Sequence, residues 1–259
     1  MMHQLPMFRS RKDKSGSEDP APQDEMVVIV DRAVNPYLVM FHDPAGYRAE
    51  QVRALRNRLV TMNTDGEPKT LVVTSAGRSE GKSVCAINLA MALSELERQE
   101  VLVVDADLRR PSIERYLNLN PGPGLADVLL GNTPLEKALR PVGHRRLMLL
   151  GAGSRVGNPA EVLSATRIDE LFSRLKERFQ YIVLDTPPVL PSTDAGMLAA
   201  RADGTLFVLR LEHTQKGSAR EALRNLQDLG ANVLGTFVSE IRGRDPETDP
   251  ELRYESTRD

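Results

Sequence analysis

The feature that most constrains the fold of this 259-residue chain is a series of short, unbroken apolar runs, spaced so that helices fit between them. Val101-Leu102-Val103-Val104, Leu147-Met148-Leu149-Leu150 and Tyr181-Ile182-Val183-Leu184 show no alternation of polar and apolar residues. A strand buried on one face alternates, whereas a strand covered on both faces does not, and helical crossovers on a parallel sheet supply that double cover. Residues 70–75, 205–211 and 232–238 extend the series. Residues 82–96 and 215–229 have helical length and pattern, shorter helices are expected at 125–130 and 135–139, and Asn158-Pro159 opens another with proline in its first turn. The alternation predicts an α/β fold: a doubly wound, mostly parallel sheet with right-handed crossovers.

Three segments follow from composition. Residues 9–25 are polar and rich in Pro and Ser, too poor in apolar surface to offset their ordering entropy, and residues 1–25 are expected to be a disordered lead. Residues 26–242 are expected to form one domain, with a strand candidate at Met26-Val27-Val28-Ile29-Val30, an apolar patch at 37–41 and a helix over 44–61. Residues 243–259 are polar and acidic and read as a flexible tail. The hydrophobic (41%) and charged (27%) fractions suit a soluble globular protein, and a net charge of −2 gives no bulk reason to expect nucleic-acid binding. The single Cys85 excludes an internal disulfide or a multi-cysteine metal site, and its place in an apolar helix reads as a small buried hydrophobe. The four histidines show no ligand spacing, no apolar run approaches the roughly 18 residues of a membrane span, and Met1-Met2-His3-Gln4-Leu5-Pro6 lacks the core of a signal peptide. The expected location is cytoplasmic.

The first apolar run stops at Ser75-Ala76-Gly77-Arg78-Ser79-Glu80-Gly81-Lys82-Ser83, where a helix begins. This is the layout of a phosphate-binding loop, in which backbone N–H groups and a helix N-terminus face a triphosphate. Lys82 would reach the β and γ phosphates, and Ser83 would ligate Mg²⁺. Ala76 occupies the place of the first glycine, and a plain strand–turn–helix with a surface lysine would match the relaxed pattern too. Two further runs end in acid: Asp105 with Asp107, and Asp185. One such carboxylate is often only a helix cap or turn former. Three strand ends converging on the carboxyl edge of one sheet are where such folds bind ligands. Mg²⁺ takes one or two carboxylates and leaves its other positions to water and phosphate. Asp185 suits the metal-side carboxylate. Of Asp105 and Asp107, one can hold the metal's water shell while the other accepts a proton from an incoming hydroxyl.

These stretches together resemble the bacterial tyrosine kinases of capsule and exopolysaccharide synthesis. VLVVDADLRRP (101–111) looks like their second Walker-type motif. SEGKS (79–83), GLADVLLG (124–131), GNPAEVLS (157–164) and YIVLDTPP (181–188) resemble the same family, and EQVRALR (50–56) resembles its ring-forming E-x-x-R-x-x-R helix. The resemblance spans about residues 36–240. It implies a P-loop ATPase and protein-tyrosine autokinase using ATP and Mg²⁺. The nucleotide would lie on Gly77, Arg78, Ser79, Glu80, Gly81, Lys82, Ser83 and Val84, with Ser83, Asp105 and Asp185 around the metal and Asp107 at the base position. It also implies a homo-oligomeric ring in which Glu50, Arg53 and Arg56 contact a neighbour. The partner would be a membrane polysaccharide co-polymerase that recruits the protein to the inner membrane face. From the residues alone, Glu50, Arg53 and Arg56 recur every three positions and read equally as a solvated helix face with internal ion pairs.

The sequence departs from that family at three places. Ala76-Gly77-Arg78-Ser79-Glu80 stands where Pro-Gly-Glu usually precedes Gly-Lys-Ser, leaving Arg78 either near the phosphates or in solvent. The last strand ends Val238-Ser239 rather than Leu-Asn, which bears on base selectivity. The tail carries Tyr254 alone in place of a tyrosine cluster, making Tyr254 the candidate phosphoacceptor. That loss leaves room for an alternative, a nucleotide-switched assembly ATPase of the same machinery with little kinase activity. A Min- or Par-type positioning ATPase is a further alternative, although those proteins usually carry lysine where Gly77 stands, and the acidic tail lacks a basic membrane or DNA anchor. A dinucleotide-binding Rossmann enzyme would leave Lys82-Ser83 without a task.

Overall fold

The computed structural model describes residues 34–97 and 99–239. The expected lead and most of the tail, the strand candidate at 26–30 and Tyr254 lie outside the described residues. The strands are β1 (Lys69–Ser75), β2 (Val101–Asp105), β3 (Leu139–Pro141), β4 (Leu147–Leu150), β5 (Tyr181–Asp185), β6 (Gly204–Arg210) and β7 (Val233–Ser239). They lie in one sheet in the order β3-β4-β2-β5-β1-β6-β7. Each neighbouring pair is parallel except β3 with β4.

The unbroken apolar runs are buried on both faces, as a doubly covered sheet requires. All five residues of β2 and all five of β5 are buried. Side chains alternate between two cores. Leu71, Val73, Val101, Val103 and Val183 join α1 (Val39–His42), α2 (Tyr47–Met62) and α3 (Lys82–Ser94) on one face. Val72, Leu102, Val104, Ile182 and Leu184 face the other core. That second core is filled by α5 (Leu125–Leu129), α6 (Leu135–Ala138), α7 (Pro159–Val162), α8 (Ala165–Lys176), α9 (Asp194–Ala199) and α10 (Lys216–Asp228). In α8 the buried set Ile168, Leu171, Phe172 and Leu175 follows the i, i+3, i+4, i+7 spacing of a helix with one apolar stripe. α3 differs, being buried almost all round because it lies between the sheet and α1–α2.

The structure corrects some boundaries. The patch at 37–41 forms the short α1, and α2 starts at Tyr47, after an extended Gly46. β3 and the short α4 (Ile113–Tyr116) are additions to the sequence reading. β3 is a three-residue edge strand containing Arg140 and Pro141, and proline at an edge needs no ladder donor.

Candidate functional site

β1 ends at Ser75 and runs through the loop into α3, β2 ends at Asp105, and β5 ends at Asp185. In the parallel β2–β5 ladder Asp105 is opposite Asp185, so the two carboxylates share a face. They point to the side of Val103 and Val183, where α3 packs. Both are buried: Asp105 is 0% and Asp185 1% exposed. One oxygen of Asp105 accepts the backbone N–H of Ser112 (2.8 Å) and of Ile113 (2.9 Å) at the start of α4. Its other oxygen, and both oxygens of Asp185, have no hydrogen-bond partner.

Burial raises the pKa of Asp105 to about 7 against its two backbone donors. Burial also drives Asp185 well above the ordinary carboxylate range, with the charge of Asp105 adding to it and the nearby Ser83 hydroxyl and Lys82 opposing. Lys82 is 8% exposed. Burial lowers its pKa, while Asp185, Asp107 and Glu80 favour its charged form and Arg78 disfavours it. Lys82, Asp107, Arg78, Ser79, Arg109 and Arg110 line a cleft of about 190 Å³, closed on its far side by Pro187, Pro188, Pro191 and Ser192.

The loop takes its shape from specific bonds. Gly81 sits at φ 93°, a left-handed conformation that glycine adopts without steric cost, and hands the chain directly into α3. No side chain caps α3, so its first-turn N–H groups face outward for an anion. Ser79 is also left-handed (φ 59°), at the place where the resembled family has glycine. Arg210 donates to the Ser79 carbonyl at 3.0 Å. Glu80 is turned inward, accepting the Gly77 N–H (2.9 Å) and the Thr214 hydroxyl (2.7 Å). Its carboxylate therefore closes the loop on itself and ties it to the β6–α10 connection. Val84 is partly buried in the first turn of α3. Ser239 donates to the carbonyl of Glu80 (3.1 Å) or of Leu209 (3.2 Å), so its hydroxyl braces the loop from behind.

The donor set suits Mg²⁺ held jointly with phosphate. Among the described residues no cluster of three His, Cys, Asp or Glu side chains forms a metal cage of its own. What is present is one free oxygen on Asp105, two on Asp185 and the Ser83 hydroxyl, and two buried carboxylates side by side favour a cation between them. Several residues that complete the site carried no readable signal in the sequence. Ser112 donates through its hydroxyl to that of Ser83 (2.9 Å). Arg109 forks onto the buried Asp194 (2.7 and 3.2 Å), joining the loop after β2 to α9.

Glu50, Arg53 and Arg56 are apart from this cleft. Arg53 donates to Glu95 of the α3 terminus through two nitrogens (2.9 and 2.7 Å), to the Pro44 carbonyl and to Glu50. Arg56 reaches Glu95 (2.8 Å) and the Ala92 carbonyl (3.1 Å). Both arginines are thus held within the chain.

A central strand opening into a glycine-hinged loop and an uncapped helix, with buried carboxylates on the neighbouring strand ends, defines a P-loop nucleotide-binding protein. Comparison with known proteins sharpens the class. A family model described as "ATPase MipZ" matches residues 69–209, from β1 through nearly all of β6. Tyrosine-protein kinase YwqD of Bacillus subtilis (strain 168) is 31% identical over 222 residues, covering 86% of this chain and 92% of that protein. Tyrosine-protein kinase ptk of Acinetobacter johnsonii is 27% identical over 220 residues, 85% of this chain but 30% of ptk. The kinase domain of Escherichia coli tyrosine kinase ETK superposes with a TM-score of 0.76 at 27% identity, over 83% of this chain and 84% of that one. The chain belongs to the bacterial tyrosine-kinase family of P-loop ATPases.

Proposed function

We propose that the cleft binds ATP with Mg²⁺ and transfers the γ-phosphoryl group to a tyrosine hydroxyl, within the machinery that polymerises and exports exopolysaccharide or capsule. The observation that carries this reading is the pairing of Asp105 with Asp185 beside Lys82, with Asp107 in the same cleft. Lys82 and the α3 N-terminus hold the β and γ phosphates, and Ser83 with the free oxygens of Asp105 and Asp185 holds the metal and its water shell. Mg²⁺, when bound, neutralises charge on the β and γ oxygens. Asp107 accepts the proton of the incoming phenol, whose pKa near 10 makes a carboxylate base useful. The phenolic oxygen forms the new bond to phosphorus as the bond to the β-phosphate bridging oxygen breaks, and ADP leaves. We assign Tyr254 as the acceptor, presented to a neighbour's cleft in a ring that Glu50, Arg53 and Arg56 help to form. The partner is a membrane polysaccharide co-polymerase, which recruits the protein to the inner face of the membrane. The likeness to tyrosine-protein kinases over most of the chain supports this assignment.

A second reading is favoured by one observation: Tyr254 is the single tyrosine beyond residue 181. With no acceptor cluster, the same site would serve as a nucleotide-operated assembly switch that hydrolyses ATP and transfers little phosphate. Purified protein incubated with Mg²⁺-ATP, followed by mass spectrometry for phosphotyrosine and an ADP-release assay, separates the two. Phosphotyrosine that disappears in Lys82→Ala and Tyr254→Phe supports the kinase. ADP release without phosphotyrosine, with or without the partner, supports the switch. Neither product would overturn both.

A further inference from the structure

Arg78 is the residue that the family pattern leaves unexplained, and the structure gives it surroundings. It is exposed and lines the cleft together with Lys82, Asp107 and Arg110. Arg109, on the same wall as Arg110, is committed to Asp194. Among the described residues the side chains of Arg78 and Arg110 have neither a hydrogen bond nor an ion pair. Arg78 comes from the loop before α3 and Arg110 from the loop after β2, so two uncommitted guanidiniums approach one cleft from separate elements. Arg78 is close enough to Lys82 for their like charges to repel. Lys82 already faces Asp185, Asp107 and Glu80, whereas Arg78 and Arg110 add positive charge with no bonded counter-charge, which an anion between them would turn into attraction.

Position decides which anion. The loop backbone and the start of α3 cradle the phosphates nearer the nucleoside, and Lys82 spans the β and γ groups. Arg78 shares its cleft with Asp107, the group on the acceptor side, so its reach is toward the terminal phosphate. The backbone on either side of Arg78 is held in place. Ser79 takes a left-handed turn, its carbonyl is held by Arg210, and the buried Glu80 is bonded to Gly77 and Thr214, while Arg78 is exposed at the cleft.

We propose that Arg78 is a specificity-determining residue that reads the γ-phosphate, making this chain discriminate triphosphate from diphosphate through a contact within its own loop. The proposal rests on the reading of the cleft as an ATP site. Its chemistry is that of a forked guanidinium on phosphate oxygens, a charge-assisted contact that lysine reproduces only as a point charge.

The test is equilibrium binding of a non-hydrolysable ATP analogue and of ADP, each with Mg²⁺, to the full chain and to Arg78→Ala and Arg78→Lys. Thermal unfolding of each variant checks that the fold is intact. The expected result is a fall of about tenfold in the triphosphate-to-diphosphate affinity ratio for Arg78→Ala, about 1.4 kcal/mol, with Arg78→Lys in between. A folded Arg78→Ala that keeps the wild-type ratio, or that weakens both nucleotides equally, overturns the proposal and leaves the ATP site standing. A wild-type protein that binds neither nucleotide overturns both.

Discussion

Asp105 and Asp185 are register partners on adjacent parallel strands, and three of their four carboxylate oxygens have no hydrogen bond in a fully buried setting. Two acids so placed cannot both ionise cheaply without a cation. The raised pKa of Asp105, about 7, means that the folded state binds a proton the unfolded chain has already released. Stability from this source is present below the unfolded carboxylate value near 4 and is lost as pH rises through about 7. The metal-free protein should therefore become less stable between pH 5 and pH 8, and Mg²⁺ with nucleotide should restore what is lost.

Asp105→Asn keeps an acceptor for Ser112 and Ile113 and turns an amide donor toward Asp185. We expect the metal-free variant to be more stable than wild type at pH 8 by roughly 2 kcal/mol, with its pH dependence flattened, and to gain little from Mg²⁺-ATP. Thermal melts at pH 5 and pH 8, with and without nucleotide, measure all three effects. A variant less stable than wild type at both pH values would contradict the argument.

Glu80→Ala removes the acceptor of the Gly77 N–H and the Thr214 hydroxyl, leaving two half-buried donors without their protein partner. The expected cost is about 1 kcal/mol, together with weaker nucleotide binding, because the loop loses its closing bond. Glu80→Gln retains one acceptor oxygen and should fall between the two. Denaturant unfolding and nucleotide titration of the same preparations give both numbers.

Glu95 lies between Arg53 and Arg56, and bonds that draw those arginines inward compete with any contact they make to a neighbour. Glu95→Gln should lower stability by no more than about 1 kcal/mol, since the pairs are partly solvated, and should shift sedimentation toward larger assemblies at a given concentration. An unchanged distribution would mean that the two arginines serve the fold alone.

Cys85 is buried in α3, one turn beyond Lys82's own position in the site, and burial pushes its thiol pKa up. Thiol labelling should therefore require opening of α3 and proceed slowly in the native protein. Mg²⁺ with a non-hydrolysable ATP analogue should slow it further, by the factor through which the ligand stabilises the folded state. A labelling rate that matches an unfolded control would place the thiol in solvent.

Much of this was legible in the sequence because local chemistry carried it. Unbroken apolar runs identified β2 and β5, Gly81-Lys82-Ser83 marked the start of α3, and acidic residues at strand ends marked the edge where Asp105 and Asp185 meet. What escaped reading depends on contacts between distant segments. Thr214 meets Glu80 across 134 positions, and Arg53 meets Glu95 across 42. No periodicity encodes such pairs. β3 escaped because three residues with a charge and a proline carry no strand pattern. The inward turn of Glu80 is set by a left-handed Ser79, a conformation that serine does not advertise.

The hydroxyl of Ser239 ends the last strand and touches the carbonyl of Glu80, one peptide before the glycine that opens α3. The chain then continues through residues 240–259, which include Tyr254. Ser239 is also paired with Arg210 in the β6–β7 ladder, and Arg210 holds the Ser79 carbonyl, so the last strand and the phosphate loop are tied at two points and a shift of one must be felt by the other.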